Sequence, residues 1–271
     1  MKSLERAFER MLKLCDVVWG WKETRKLRTA LHATAALLFP VQCVCCGRLD
    51  EKLCAACSQT LGAVAIRPQR VEEFADALPL NMAGLPMPVI TAGRYEHELA
   101  GVLLSYKNHQ MVSLSKVLVP LLARALRAAL NELTDPAREV LLVPVPSRRK
   151  ALAVRGYWPV GLLLHRVFKA HLLPENTRVV HALRYAAGAS LGSSQKMRGR
   201  RGRASVHNTM LARRQPGISD ALNSGAQVLF IDDVLTTGAT LAEAYRALQG
   251  KCVVPCGAVV IASTPAPDEK R

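Results

Sequence analysis

Residues 228–241 read VLFIDDVLTTGATL. Four apolar residues run straight into two adjacent aspartates, Asp232 and Asp233, and a turn of threonine and glycine follows. Neighbouring carboxylates repel, so this placement at the end of a strand-like segment points to something that meets them: a cation, or a group rich in hydroxyls. An uninterrupted apolar run fits a strand covered on both faces, as in a parallel sheet. Such sheets present ligands at the carboxyl ends of their strands, where helix N-termini also point. Gly238 permits a tight turn with exposed amides, and residues 239–248 continue as a helix. Those amides, from Thr236 through Ala239 to Thr240, form a phosphate cradle to which the threonine hydroxyls of 236, 237 and 240 add donors. Asp232 and Asp233 are then placed to accept hydrogen bonds from ribose hydroxyls, or to hold Mg²⁺ through its waters. A sugar phosphate satisfies both halves together.

Working outward from this stretch, strands and helices alternate. Residues 89–97 read as a strand, 98–106 as a helix, and 115–133 as a longer helix with Pro120 near its start. EVLLVPVP, residues 139–146, is a buried strand; 157–171 is a helix; TRVVHAL, residues 177–183, is another strand. Residues 184–215 are rich in Arg, Gly and Ser and read as a mobile basic loop. A strand at 226–231, the helix at 239–248 and a strand at 253–262 complete the series. This alternation argues for an α/β fold with a mainly parallel sheet flanked by helices. Residues 58–90, with several prolines and shifting polarity, fit a linker and the start of that domain.

The chain has 271 residues, half of them hydrophobic, which is enough for a core that needs no staples. Lys and Arg number 37 against 21 acidic residues, a net charge of +16 that favours a polyanionic partner: nucleic acid, a phosphorylated metabolite or an anionic membrane. The run KMRGRRGR, residues 196–203, has the charge to track a phosphate backbone or cover a pyrophosphate, without the interleaved aromatics that base stacking requires. Residues 1–37 form an N-terminal segment of helical spacing, which suits ordinary packing, a partner helix or a membrane surface. They lack the pattern of a signal peptide, and the longest nearly apolar run, residues 33–41, falls well short of the roughly 18 residues of a spanning helix. The expected location is cytoplasmic, where clustered cysteines bind metal more often than they form disulfides.

LFPVQCVCCGRLDEKLCAACS, residues 38–58, holds two CxxC pairs, Cys43/Cys46 and Cys54/Cys57. Each pair forms a knuckle whose thiolates hold one side of a tetrahedral zinc; four soft ligands with no open position make the site structural. Cys45 is an alternative to Cys46 as ligand. Cys252 and Cys256 read as small buried hydrophobes, and His109, His165 and His171 have no metal-like constellation.

These motifs carry a resemblance. Residues 228–241 look like the phosphoribosyl-pyrophosphate (PRPP) motif of type I phosphoribosyltransferases. The whole order, Leu38-Phe39-Pro40 before the CxxC pairs, Tyr106-Lys107, LLVPVPSRRKALAVRGY, and Gln195 with Arg203, resembles the ComF family, whose members are linked to competence and DNA uptake in bacteria. The resemblance implies a zinc ribbon at 38–60 and a type I phosphoribosyltransferase-like domain at 85–271. It implies PRPP bound with Mg²⁺ by Asp232, Asp233, residues 236–240, Ser147 and Arg148, with Lys107, Arg148 and Arg155 neutralising the departing pyrophosphate. Single-stranded DNA and DNA-uptake or recombination proteins are the implied partners of a non-enzymatic alternative. The chain departs from the family pattern at Trp158 and Pro159, which follow Tyr157, and at Val206 and Asn208 beyond the basic loop.

Overall fold

The computed structural model describes residues 41–64, 67–81, 83–186, 209–213, 218–251 and 253–264. The segment at 1–37 and the KMRGRRGR run lie outside them. Contacts divide the chain into two compact units, residues 1–54 and 55–271.

In the first unit, the described residues fold back on themselves in a small knuckle. The amide of Cys43 donates to the Arg48 carbonyl at 2.8 Å, that of Gly47 to Cys43 at 2.9 Å and that of Asp50 to Val41 at 2.7 Å. Gln42 and Leu49 form an antiparallel bridge across it.

The second unit is an α/β fold. Its elements are α1 (Ala55–Val64), β1 (Gln69–Arg70), β2 (Val89–Thr91), α2 (His97–Asn108), α3 (Ser115–Leu133), β3 (Val140–Pro144), α4 (Arg149–Arg155), α5 (Pro159–Lys169), β4 (Thr177–Val179), β5 (Leu183–Tyr185), β6 (Met210–Ala212), α6 (Ile218–Asn223), β7 (Gln227–Leu235), α7 (Ala239–Gln249) and β8 (Gly257–Ser263). Six strands form one sheet in the order β1-β2-β8-β7-β3-β4. All its pairings are parallel except the short β1–β2 edge. β5 and β6 form a separate antiparallel pair.

The composition of the strands explains this arrangement. VLLVP of β3 and GAVVIAS of β8 are buried at every residue, which requires cover on both faces of the sheet. The helices supply it with amphipathic faces. α3 buries Leu118, Leu121, Leu122, Ala125, Leu126 and Ala129, spaced by three and four residues. α5 buries Val160, Leu163, Leu164 and Val167 in the same rhythm; it starts at Pro159, whose missing N–H costs nothing in the first turn. Among the described residues, no helix is long and apolar enough to cross a membrane.

Several local expectations change. Residues 58–90 are not simply a linker: α1 runs to Val64, and Gln69–Arg70 extends the sheet edge. The strand expected at 89–97 stops at Thr91, and TRVVHAL divides between β4 and β5. RKALAVR, residues 149–155, forms helix α4, and Met210–Ala212 of the loop expected at 184–215 pairs with β5. The last strand begins at Gly257, not 253, so Cys256 lies before it and is only half-buried; the side chain of Cys252 lies outside the described residues. β7 continues through the acidic pair to Leu235, because β8 pairs with Asp232, Val234 and Leu235 as well as with the apolar run.

Candidate functional site

The central strand β7 carries Asp232 and Asp233 near its carboxyl end. The Asp233 amide donates to the Asp232 carboxylate at 2.8 Å. Lys107, in the last turn of α2, places its Nζ 2.8 Å from Asp233 Oδ2, with both side chains largely shielded. Burial raises the Asp232 carboxyl above the usual range, and the charge of Asp233 adds to this; the Asp233 amide and Lys107 oppose it. Among the described residues, the cation paired with these carboxylates is Lys107, on Asp233.

The turn after β7 is held from outside. Gly238 caps α7 with φ of 84°. A Cβ there would stand 2.8 Å from Leu78 Cγ and 3.1 Å from the Leu78 amide nitrogen. Ala77 donates its amide to the Thr237 carbonyl at 2.9 Å. The 75–79 segment thus fixes one side of the turn, while Thr236, Thr237 and Thr240 remain exposed and Ala239 half-buried. The Ala239 amide donates to Thr237 Oγ1 at 3.4 Å.

Lys107 owes its position to two tyrosines. Tyr106 is fully buried, its hydroxyl donating to the Pro159 carbonyl at 3.0 Å. Tyr157 donates its hydroxyl to the Tyr106 carbonyl, and the two rings meet edge to face with centroids 5.6 Å apart. Gly156, left-handed at φ 73°, ends α4 and turns the chain toward Tyr157. The Tyr-Lys and Arg-Gly-Tyr motifs, distant in sequence, are one joint. Arg155 donates to Asn108 Oδ1 at 3.3 Å, beside Lys107 in sequence.

Ser147 and Arg148 follow β3, the neighbour of β7. The Arg148 guanidinium lies over the Tyr185 ring, 5.9 Å from its centroid. Burial raises the Tyr185 pKa, Arg148 opposes the rise, and the charges of Asp232 and Asp233 reinforce it. The β5–β6 pair therefore stands against the loop that follows β3. It is tied to α7 by Glu243, 3% exposed, which accepts from the Met210 amide at 2.8 Å and pairs with Arg246 at 2.7 Å. Sequence reading missed Tyr185 and Leu78 altogether. Tyr185 lay in an expected loop, and Leu78 in an expected linker.

The other candidate site is the cysteine cluster. The sulfurs of Cys43, Cys46, Cys54 and Cys57 all lie within 4.8 Å of one another; Cys45 is not of the set. Cys46 Sγ and Cys54 Sγ are 3.7 Å apart. A tetrahedron with metal–sulfur bonds of about 2.3 Å has edges of about 3.8 Å, so the spacing fits. The Cys54 amide donates to Cys43 Sγ at 3.4 Å. Burial pushes the Cys43 thiol up, but the amides of Cys46, Cys54 and Cys45 outweigh it and lower the pKa to about 6. A thiolate at neutral pH is what a metal ligand requires.

No protein-family model matches this chain. No curated protein matches it either.

Proposed function

We propose that this chain is a ComF-like protein that binds PRPP with Mg²⁺ and transfers its phosphoribosyl group, with a structural zinc in the ribbon at 38–60 and the transferase domain at 85–271. One observation carries the reading: an acidic pair and a Thr-Thr-Gly turn stand together at the carboxyl end of the central parallel strand, with a lysine on the pair. The turn amides and threonine hydroxyls take the 5′-phosphate. Asp232 and Asp233 take the ribose diol, and the carboxylates that Lys107 half neutralises are the donors suited to Mg²⁺. Bound magnesium supplies charge neutralisation to the pyrophosphate. An acceptor nitrogen attacks the ribose C1 and forms the new bond; the C1–oxygen bond breaks, and its electron pair leaves with pyrophosphate. Lys107, Arg148 and Arg155 stabilise that developing charge, which is electrostatic catalysis. The four cysteines hold zinc, which a reducing cytoplasm keeps available to thiolates.

Thermal scans test this. At a Mg²⁺–PRPP concentration 100 times Kd, wild type gains about 2.7 kcal/mol, and Asp233→Asn gains much less. No ligand-dependent shift in wild type refutes the reading, and pyrophosphate release with a panel of bases tests the transfer itself.

The +16 charge favours a second reading, a non-enzymatic DNA-handling protein that uses the same fold as scaffold or sensor alongside DNA-uptake or recombination proteins. Its basic run lies outside the described residues. Replacing Arg200, Arg201 and Arg203 by Ala lowers the salt slope of single-stranded DNA binding by roughly 2 units if that run makes the contacts. Binding that survives disabling the threonine turn separates this activity from the first.

A further inference from the structure

A cavity of about 300 Å³ opens between the loop after β3, the strand paired with β7, and the β5–β6 pair. That size stands at the lower end of ligand pockets, roughly 300–1,000 Å³. We propose that it binds a planar aromatic ring carrying a carboxylate, and that this ring is the phosphoribosyl acceptor. The acceptor role rests on the function proposed above; the binding chemistry does not.

The lining combines two kinds of group. Trp158, His181 and Tyr185 supply ring surfaces, and Arg149, Arg184 and Arg213 supply guanidiniums; no Asp or Glu lines the cavity. The Trp158 and His181 rings lie 5.2 Å apart, a ready stacking surface. All three arginines are exposed, and among the described residues none has a carboxylate within ion-pair distance. Three like charges around one cavity repel each other until an anion enters, and the guanidinium fork matches a carboxylate.

Other ligands use only part of this. A neutral ring leaves the arginines uncompensated, and a bare phosphate leaves the ring surfaces idle. A nucleotide brings its own sugar phosphate, the part that the threonine turn and acidic pair already address. Tyr185 joins the two regions: it lines the cavity, and the Arg148 that lies over its ring follows β3, the strand paired with β7.

The test uses the full chain and a panel of one-ring heteroaromatic carboxylates, each beside its carboxamide, with and without Mg²⁺–PRPP. Calorimetry measures affinity, and quenching of tryptophan emission, assigned with Trp158→Phe, reports the place. The expected result is at least one carboxylate that binds about 10-fold tighter than its amide, a preference cut to about 3-fold or less by Arg213→Ala or Arg184→Ala. Both positions are exposed, so these variants are expected to fold. Equal affinity for acid and amide, no binding in either condition, or indifference to both substitutions overturns the proposal. Displacement of the carboxylate by a single-stranded oligonucleotide overturns it in favour of nucleic acid. A Mg²⁺–PRPP thermal shift without carboxylate binding sinks this inference alone. Carboxylate binding without that shift keeps the cavity's chemistry and removes the acceptor role.

Discussion

Asp232 and Glu243 lie on one strand–turn–helix unit, and their surroundings pull them in opposite directions. Asp232 is pushed up from 3.8 to about 8, first by burial and then by Asp233, against the Asp233 amide and Lys107. Glu243 is also penalised by burial, yet the Arg246 guanidinium and the Met210 amide more than reverse this and hold it below the usual range. The signs follow from proton binding. Folded Asp232 keeps its proton where the unfolded chain has lost it, so its contribution is present below 3.8 and fades as pH rises toward 8. Glu243 contributes above the ordinary glutamate range and loses that contribution as pH falls through its lowered pKa. In magnesium-free buffer, melting temperature followed against pH is expected to lose its neutral-side decline in Asp232→Asn and its acid-side decline in Glu243→Gln. Unchanged profiles in both variants contradict these environments.

At the scale of elements, two left-handed glycines separate conformational strain from packing. Gly156 ends α4 with φ 73° and nothing within 4 Å of an added Cβ; Gly238 starts α7 with φ 84° and meets Leu78 at 2.8 Å. Gly156→Ala is expected to cost about 1–2 kcal/mol, the ordinary cost of a left-handed residue with a side chain. Gly238→Ala bears the same strain and must also move Leu78, buried at 5% exposure, or the turn itself. Denaturant unfolding is expected to show the larger loss at Gly238, with or without Mg²⁺–PRPP. Equal losses mean that the 75–79 segment does not brace the turn. This bracing was hidden in the sequence, because Leu78 carries no pattern that distinguishes a wedge under a loop from a residue in a linker.

For the whole molecule, one described core cluster runs from Val71 to Val260 and includes no residue of the cysteine run, while α1, which carries Cys57, packs on α2 and α3. Metal loss is expected to loosen the knuckle locally and leave that cluster in place. Purified protein is expected to carry one zinc per chain, and a strong chelator to expose the four thiols of Cys43, Cys46, Cys54 and Cys57 to thiol reagents while the far-ultraviolet spectrum of the α/β unit persists. Cys54→Ser should behave as the chelated protein does. Purified protein with no zinc sinks the metal assignment, and global unfolding on chelation sinks the separation.

What the sequence alone determined was the parallel α/β class, the places of β3, β7 and the main helices, and the two CxxC pairs that cluster. Burial on both faces writes itself as unbroken apolar runs, helix faces as steps of three and four, and metal knuckles as short fixed spacings. All of these are local. The tertiary structure alone decided that Lys107 pairs with Asp233, that Tyr106 and Tyr157 form one joint, and that Tyr185 and Arg148 meet beside the acidic pair. It also chose Cys46 over Cys45. Periodicity records that a residue is buried or exposed, but not against what. In a parallel sheet, neighbouring strands are joined by long crossovers, so the residues that meet at their carboxyl ends come from distant parts of the chain.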